Sequence, residues 1–402
     1  MKNRTGAPVS GEDFYGRERE IERLLALIQR GDSVLLSAPR RVGKTSLIGR
    51  VASQLQSEGW RILSLNVQDV ADEIAFFGKL RDCGTKAELK WPAVSTIRNM
   101  VSSVRKSFKG DKAGAAGVTL EVGGGETLAW QDEARAFLSA SADGRKKQPQ
   151  LLAIDELPIF LSNLAKQNDG PQRVAALLHW LREARATNSF CLILCGSIGL
   201  DSFVERHGFA GTINDLTIET LGAYEVETAH GCLKALAEGA GWTEGVIDPV
   251  LPAILERLGW PLPYYLQILF HQLTQLERRN AADFPQVLDV EAAYAALLGI
   301  HQRPLFHHWD SRLDDQFIDP EDIPRARVIL KALCTKPNGI TYRTLIESVA
   351  VQEQHTERSV LEKSVNRILD SLERDGYLLR NGNRYTFRSF LLRDYWKACH
   401  AR

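Results

Sequence analysis

Residues 37–46 have the sequence SAPRRVGKTS, and a short apolar run, SVLLS at 33–37, leads into them. Gly43, Lys44 and Thr45 match the second half of the phosphate-binding pattern G-x-x-x-x-G-K-[ST]. Ala38 stands where that pattern has its first glycine. The first glycine shapes the beginning of the loop rather than contacting phosphate, so alanine should be tolerated there if its φ is negative.

The flanks of this loop predict a strand before it and a helix after it, from about Lys44 to Gln56. Backbone N–H groups of such a loop, together with the positive end of the helix, form an anion site. Lys44 would reach the β- and γ-phosphates, and Thr45 would offer a hydroxyl ligand to Mg²⁺. Arg40 and Arg41 either add positive potential to the loop or face solvent. The stretch therefore predicts binding of ATP with Mg²⁺.

A second acidic motif completes the pattern, because LLAIDE at 151–156 places two carboxylates after four apolar residues. Asp155, at the end of a buried strand, would hold the magnesium through water. Glu156 would lie near an attacking water and is the candidate general base. An acidic pair after a strand is often only the turn that begins a helix, but the order of the motifs favours the catalytic interpretation.

Further apolar runs at 61–67, 190–196 and 216–221 alternate with helical patterns. Continuous apolar strands between helices indicate an α/β fold, with a parallel sheet covered by helices on both faces. Residues 84–150 interrupt the rhythm and are predicted to be an insertion packed loosely on the core. Helices are predicted at 223–239, 248–258, 262–278 and 288–300, followed by an acidic linker, IDPEDIP, at 318–324.

The last 78 residues predict a winged-helix domain, since three helical patterns precede two alternating strands about an N-G-N turn. From Arg325 to Arg402 there are 15 Lys or Arg and 8 Asp or Glu, a net charge of +7. The candidate DNA contacts are basic residues of the third helix and the hairpin: Arg358, Lys363, Arg367, Arg384 and Arg388. The alternative is contact with a protein partner or within the chain, because Tyr385 and Phe387 alternate like hairpin core residues.

Five segments in this order resemble one known family: FYGREREIERL (14–24), SAPRRVGKTSL (37–47), LLAIDELP (151–158), CLILCGSIGL (191–200) and GWPLPYYLQIL (259–269). They are similar to the predominantly archaeal ATPase family, in the STAND-type branch of the AAA+ P-loop ATPases, which is related to origin-recognition ATPases. The resemblance implies a P-loop sheet domain at 1–221, a helical lid at 222–317 and a winged-helix domain at 325–402.

The resemblance also implies roles for individual residues. The segment that begins at Phe14 would cover the adenine, Ser197 would be a polar sensor near the γ-phosphate, and the G-x-P signature that begins at Gly259 would lie near the base. The expected nucleotide-binding residues are Phe14, Tyr15, Gly16, Arg17, Ala38, Pro39, Arg40, Arg41, Val42, Gly43, Lys44, Thr45, Ser46, Pro261 and Pro263. Many relatives carry an arginine where this chain has Thr212, so an arginine finger from that position is in doubt.

Composition agrees with a cytoplasmic protein that is not embedded in a membrane. Formal net charge is zero, and the sequence has no apolar run of about 18 residues. Six cysteines are scattered without a C-x-x-C pair, and Cys191 and Cys195 read as small buried hydrophobes. The predicted function is a slow ATPase that acts as a molecular switch toward DNA or a protein partner, with oligomerisation possible. The alternative is an ATP-controlled DNA-binding initiator or transposition helper.

Overall fold

The structure is a computed structural model that describes residues 1–89, 119–122, 126–145, 148–187, 190–196, 199–276, 284–317, 319–353 and 356–400. The chain forms two compact units. The sheet unit consists of Arg17–Ser37 and Leu47–Thr220, and the C-terminal unit of Met1–Gly16, Ala38–Ser46 and Leu221–Arg402. The domain borders predicted from the sequence stay a prediction. None of the described helices is long and apolar enough to cross a membrane.

The sheet unit is built on five parallel strands in the order β2-β5-β6-β1-β7. Their bounds are β1 Val34–Ser37, β2 Arg61–Asn66, β5 Gln150–Asp155, β6 Cys191–Gly196 and β7 Thr217–Thr220. β5 and β6 are buried at every residue. Burial of this kind requires cover on both faces, so the predicted α/β class is confirmed.

Helices connect these strands, as parallel pairing requires. They are α1 Glu18–Arg30, α2 Lys44–Ser57, α3 Glu73–Lys86, α4 Trp130–Arg145, α5 Leu157–Ala165, α6 Gly170–Ala186 and α7 Leu200–Arg206. A separate antiparallel pair, β3 Thr119–Val122 and β4 Glu126–Ala129, precedes α4.

The prediction of a loosely packed insertion at 84–150 is wrong for its last part. In α4, Trp130, Ala134 and Phe137 are buried in the main core of the sheet unit. The Phe137 ring lies 5.9 Å from that of Trp180 and stacks at 5.2 Å on Phe190. Aromatic side chains contribute the largest buried area per residue, so α4 belongs to the core. The glycine-rich runs KGDKAGAAG and GGG, at 109–117 and 123–125, lie outside the described residues.

The C-terminal unit begins with helices close to those predicted. They are α8 Val226–Gly239, α9 Glu244–Leu258, α10 Pro263–Gln275, α11 Val287–Leu297 and α12 His307–Gln316. α12 was not predicted from the sequence. A short 3-10 helix, Ile300–Leu305, leads into it.

The remaining elements include the three helices and the hairpin predicted for the last segment of the chain, together with a short strand and a closing helix that were not predicted. They are α13 Asp322–Cys334, β8 Ile340–Thr341, α14 Tyr342–Ala350, α15 Arg358–Arg374, β9 Leu378–Asn381, β10 Arg384–Phe387 and α16 Phe390–His400. The strands form a small sheet in the order β8-β10-β9.

The predicted acidic linker at 318–324 is wrong at its end, because α13 already begins at Asp322. The Asp322 side chain is buried, and its two oxygens accept hydrogen bonds from Ser364 Oγ at 2.6 Å and Arg367 Nε at 2.7 Å. A carboxylate near a helix N-terminus is also favoured by the helix dipole. Asp322 therefore connects α13 to α15 by hydrogen bonds instead of lying in a linker between elements.

Candidate functional site

The loop predicted to bind phosphate connects β1 to α2 in a tight turn. Two of its residues have left-handed backbone conformations, Arg41 with φ 66° and Gly43 with φ 96°. A side chain added at Gly43 would meet no atom within 4 Å. Successive turns of this hand orient backbone N–H groups toward one side and make an anion-binding concavity. The loop geometry therefore suits phosphate.

Ala38 does not prevent this geometry. Among the described non-glycine residues, positive φ occurs at Arg17, Arg41, Glu88, Glu156 and Asp169, and Ala38 is not one of them. Alanine is strained only where φ is positive. Ala38 therefore meets the condition on φ stated above, and binding of phosphate by a loop without its first glycine stays a prediction.

Lys44 is the first residue of α2 and is 6% exposed. Its ammonium donates hydrogen bonds to two carbonyls of its own loop, Ala38 O at 3.1 Å and Pro39 O at 2.9 Å. The side chain therefore lies back along its own loop. Thr45 is exposed, and Ser46 Oγ accepts a hydrogen bond from the backbone N–H of Val9 at 3.0 Å.

The acidic pair lies where the sequence predicts it, at the carboxyl end of β5. Asp155 is 8% exposed, and its Oδ1 accepts the backbone N–H of Glu156 at 3.0 Å. Glu156 is the N-cap of α5 and has a left-handed conformation, with φ 60° and ψ 29°. Such a conformation costs a non-glycine residue about 1–2 kcal/mol and is concentrated at functional positions.

Cys195 was read from the sequence as a small buried hydrophobe, and that interpretation is incomplete. Its thiol donates a hydrogen bond to Asp155 Oδ1 at 2.9 Å, and both side chains are buried. A thiol is a weak donor, but at this position it fixes one oxygen of the carboxylate. Ile154 pairs with Leu194 in the parallel register, so the next residues of the two strands, Asp155 and Cys195, lie beside each other.

Strand order within the sheet unit brings the carboxyl ends of β1 and β5 close together. β6 lies between them and pairs with both. Ser37, from which the loop starts, is the register partner of Gly196 at the end of β6. The carboxyl edge of a parallel sheet is the usual position for ligand sites in α/β folds. Ser197, the predicted sensor, lies outside the described residues.

The residues predicted to cover the base meet around a side chain that the sequence did not single out. Tyr224 Oη donates to Tyr15 O at 2.7 Å, and the Tyr224 N–H donates to Pro261 O at 3.2 Å. Gly16 also approaches this tyrosine, since an added Cβ would lie 3.6 Å from its ring. Tyr224 therefore links the predicted N-terminal cover to the G-x-P segment.

Three other residues predicted to bind the base lie at helix ends in the structure. Phe14 follows a 3-10 helix, Gly11–Asp13, and is half-buried. Arg17 is the N-cap of α1 and pairs with Glu20 at 2.7 Å. Pro263 begins α10, the position in which a helix tolerates proline best.

The loop also contacts side chains far along the chain within the C-terminal unit. The guanidinium of Arg41 lies 4.4 Å above the ring of Tyr264. A Cβ added at Gly376, which has φ 86°, would lie 3.1 Å from Pro39 Cβ and 3.0 Å from Trp260 Cη2. The sequence left open whether Arg41 adds positive potential to the phosphate loop or faces solvent. In the structure its guanidinium lies against an aromatic ring, so neither description is sufficient alone.

Most of the predicted DNA-contact arginines are engaged within the chain. Arg367 pairs with Asp322, Arg384 donates to Gly339 O at 2.7 Å, and Arg388 is half-buried, 5.6 Å from the ring of Trp260. Burial lowers the pKa of the Arg388 guanidinium. Arg358 is largely exposed and pairs with Glu362 at 3.0 Å in the same helix.

Lys363 is exposed on α15. Arg358 and Arg367 are exposed on the same helix, and Arg367 is held by its pair with Asp322.

Thr212 has a structural role. It is 4% exposed, its hydroxyl donates to Phe209 O, and its carbonyl accepts from Arg185 at 2.6 Å. Arg185 also forms a bidentate pair with Asp215. A buried position of this kind does not present a side chain to a neighbouring subunit.

Comparison with known proteins finds similarity in structure but not in sequence. No family model matches the chain, and no curated protein matches it. A Walker-type ATPase of Pyrococcus abyssi aligns over 98% of both chains with a TM-score of 0.62 and 16% identity. The Aeropyrum pernix ORC2 protein aligns over 98% of both chains, with a TM-score of 0.57 and 13% identity as ADPNP-ADP complexes, and 0.50 and 12% in its ADP form. The fold expected from the motif resemblance is confirmed.

Proposed function

We propose that the chain binds ATP with Mg²⁺ through loop 38–46, hydrolyses it slowly, and uses the nucleotide state to control contact with DNA or a protein partner. The observation that carries the proposal is the loop itself. Left-handed residues at 41 and 43 precede a helix that starts at Lys44, and the loop leaves the carboxyl end of a parallel strand. Backbone N–H groups and the helix dipole both favour an anion there.

Lys44 is the main charged contact of this proposal. Its ammonium would exchange the carbonyls of Ala38 and Pro39 for the β- and γ-phosphate oxygens, a stronger, charge-assisted contact. Thr45 would supply a hydroxyl and Asp155 a carboxylate to the magnesium ion, which prefers oxygen ligands. Bound magnesium neutralises charge that develops on the phosphate oxygens.

Glu156 is the proposed general base for the attacking water. Its neighbour Asp155 is held at Oδ1 by hydrogen bonds from Cys195 and from the Glu156 N–H. A carboxylate held in this way suits a metal ligand, and the adjoining carboxylate of Glu156 is then the candidate for proton transfer. Ser197 keeps the sensor role implied by the family resemblance.

The base would bind beside Tyr15 and Pro261, which Tyr224 links through two hydrogen bonds. The structural neighbours support a nucleotide ligand, since the Aeropyrum pernix ORC2 protein was solved with ADPNP and ADP. An adenine needs a flat, largely apolar cover with few polar contacts, which tyrosine and proline provide.

A switch, rather than an enzyme that serves metabolism, is supported by the partners of the loop. Pro39 lies against Gly376 and Arg41 lies over Tyr264, and both partners belong to elements that follow the sheet in sequence. A change in loop conformation would therefore act on the segments that carry the basic C-terminal surface. Packed contacts of this kind have discrete arrangements and can transmit a change between states.

The direct test is calorimetric titration of the whole chain with ATP in the presence of Mg²⁺, together with measurement of phosphate release. We expect one nucleotide per chain and turnover well below the ~10 s⁻¹ median of enzymes. Addition of EDTA should stop phosphate release. A chain that binds neither ATP nor ADP would contradict the proposal.

A second candidate is an ATP-controlled DNA-binding protein of the initiator or transposition-helper kind. The observation that favours it is the basic excess of residues 325–402 together with exposed side chains at Arg358, Lys363 and Arg384. Cations presented on a helix and an adjoining hairpin suit phosphate contacts.

For this candidate we expect duplex DNA to bind with an affinity that falls as salt rises. The double substitution Arg358→Glu and Lys363→Glu should weaken binding and reduce the slope of log K against log salt by about 2, one for each lost phosphate contact. Fluorescence anisotropy with a labelled duplex measures both quantities.

The matched control reverses two exposed arginines of the sheet unit, Arg30 and Arg135, and changes net charge equally. Equal weakening by both double variants would indicate a general charge effect and count against a specific surface on α15.

A further inference from the structure

One buried arginine of the C-terminal unit has an unusually poor set of partners. The side chain of Arg312, on α12, is 2% exposed, and its Nη2 lies 3.2 Å from Oδ1 of Asp375, whose side chain is 7% exposed. None of its three guanidinium nitrogens makes a hydrogen bond within the part of the chain that the structure describes. A guanidinium out of water normally has its donors satisfied, because the desolvation penalty is several kcal/mol.

Two other buried arginines each hold a carboxylate through two nitrogens. Arg325 donates to Glu353 through two nitrogens, both at 2.7 Å, and Arg185 does the same to Asp215 at 2.8–2.9 Å. Their carboxylates are therefore held in bidentate geometry, the strong form of this pair. The Arg312–Asp375 pair is a single contact, and at 3.2 Å it is longer than the contacts of either bidentate pair.

His308 precedes Arg312 by one helical turn and is likewise a buried polar side chain with poorly satisfied nitrogens. Both of its ring nitrogens are buried and lack a hydrogen-bond partner among the described residues. Burial and then the charges of Arg41, Arg40 and Arg312 lower the pKa of His308 to about 2. The imidazole is therefore neutral at physiological pH, and two loop arginines lie close enough to act on it.

Contacts connect this pair to the phosphate loop on two sides. Asp375 directly precedes Gly376, whose added Cβ would lie 3.1 Å from Pro39. On the other side, Tyr264 lies under Arg41 at 4.4 Å, and its ring centroid is 6.3 Å from that of His308.

Tyr377 ties the segment after Asp375 to α12, because its hydroxyl donates to Trp309 O at 2.6 Å and it precedes β9 directly. A movement of residue 375 would therefore reach both α12 and the hairpin.

We propose that Asp375 is a built-in competitor of nucleotide phosphate for Arg312, and that Arg312 exchanges this carboxylate for the terminal phosphate of ATP bound at loop 38–46. The inference rests on the proposed function and adds the residue that distinguishes ATP from ADP. Carboxylate and phosphate both match the planar guanidinium fork, and phosphate offers more acceptor oxygens and more charge.

The exchange would make the conformation of the switch depend on which nucleotide is bound. With ATP, Arg312 would leave Asp375, so residue 375 would lose this ion pair with α12 next to the hairpin strand β9, while Tyr377 would stay hydrogen-bonded to Trp309 O. ADP has no terminal phosphate to replace the carboxylate, so Asp375 would keep Arg312. A ligand shifts a conformational equilibrium only by its difference in affinity for the two states, and this contact supplies that difference.

The test compares ATP and ADP affinities by calorimetry in the full chain, with Mg²⁺, for Asp375→Asn and Arg312→Met. Asp375→Asn removes the competing charge, so ATP affinity should rise about tenfold while ADP affinity changes little. Arg312→Met keeps the side-chain volume and removes the guanidinium, so the preference for ATP over ADP should fall by a similar factor. The ratio of ATP affinity to ADP affinity is therefore expected to rise in Asp375→Asn and to fall in Arg312→Met.

The matched control is Asp394→Asn, which removes the carboxylate of another ion pair of the same unit, 3.6 Å from Arg257. It should leave the ratio unchanged. A ratio unaltered in Asp375→Asn and Arg312→Met, with ATP still bound, overturns the exchange alone and leaves the proposed function standing. An unaltered chain that binds no nucleotide overturns both. Thermal unfolding checks each variant, and Asp375→Asn decides the matter by itself if Arg312→Met does not fold.

Discussion

Lys44→Ala is expected to abolish ATP binding as measured by isothermal titration calorimetry. Lys44 is 6% exposed and its ammonium already makes two hydrogen bonds to the loop, so its position is defined before any ligand arrives. Removal of one partner of a buried charged contact costs about 2–5 kcal/mol, which corresponds to a loss of about 30- to 4,000-fold in affinity. At ordinary calorimetric concentrations, that loss would leave no measurable heat of binding.

The control is Lys79→Ala, a lysine of α3 that pairs with Asp69 on the surface. It should bind ATP as the unaltered chain does. Alanine at position 44 also leaves the carbonyls of Ala38 and Pro39 without the ammonium, so the variant's thermal unfolding midpoint should be recorded beside the affinity. Unchanged affinity in a folded Lys44→Ala chain would remove the loop from the proposed site.

The elements around this lysine could be predicted because their signals are local. Strand β1, the loop and α2 follow from an apolar run, a glycine motif and a helical period within 25 residues. The buried strands β5 and β6 are continuous apolar runs, which have few other interpretations. The same reasoning found Asp155 and Glu156, because the end of a buried strand is visible in sequence.

The partners of the site could not be predicted, since they depend on contacts between distant parts of the chain. Tyr224 joins Tyr15 and Pro261, which are separated from each other by more than 200 residues. The contact of Gly376 with Pro39 and Trp260 is of the same kind. A glycine in a turn has several ordinary causes, and only the fold identifies close approach as the cause here.

Two errors came from local patterns whose meaning was decided by tertiary structure. Asp322 lies among prolines and acidic residues, a pattern typical of linkers, yet Ser364 and Arg367 hold it inside the unit. Trp130 and Phe137 lie beyond a glycine-rich region that suggested loose packing, and their side chains fill the core. Composition indicates how polar a segment is, but not whether its polar groups have hydrogen-bond partners elsewhere in the fold.

Glu156→Gln is expected to bind ATP like the unaltered chain and to release phosphate about 100- to 10,000-fold more slowly, the range over which a general base contributes. Glutamine has the size and hydrogen-bonding length of glutamate but does not accept a proton from water at neutral pH. The left-handed backbone of residue 156 is retained, so the turn into α5 should persist. Calorimetry and a phosphate-release assay on the same preparation separate binding from chemistry.

Glu183→Gln, at an exposed position of α6, is the control for loss of one negative charge in the sheet unit and should hydrolyse ATP normally. Asp155→Asn should behave differently from Glu156→Gln, because it weakens a proposed magnesium ligand and disturbs the bond from Cys195. Its defect should lessen as Mg²⁺ is raised, whereas that of Glu156→Gln should not. Turnover at the unaltered rate in Glu156→Gln would assign the base to another residue while leaving the nucleotide site intact.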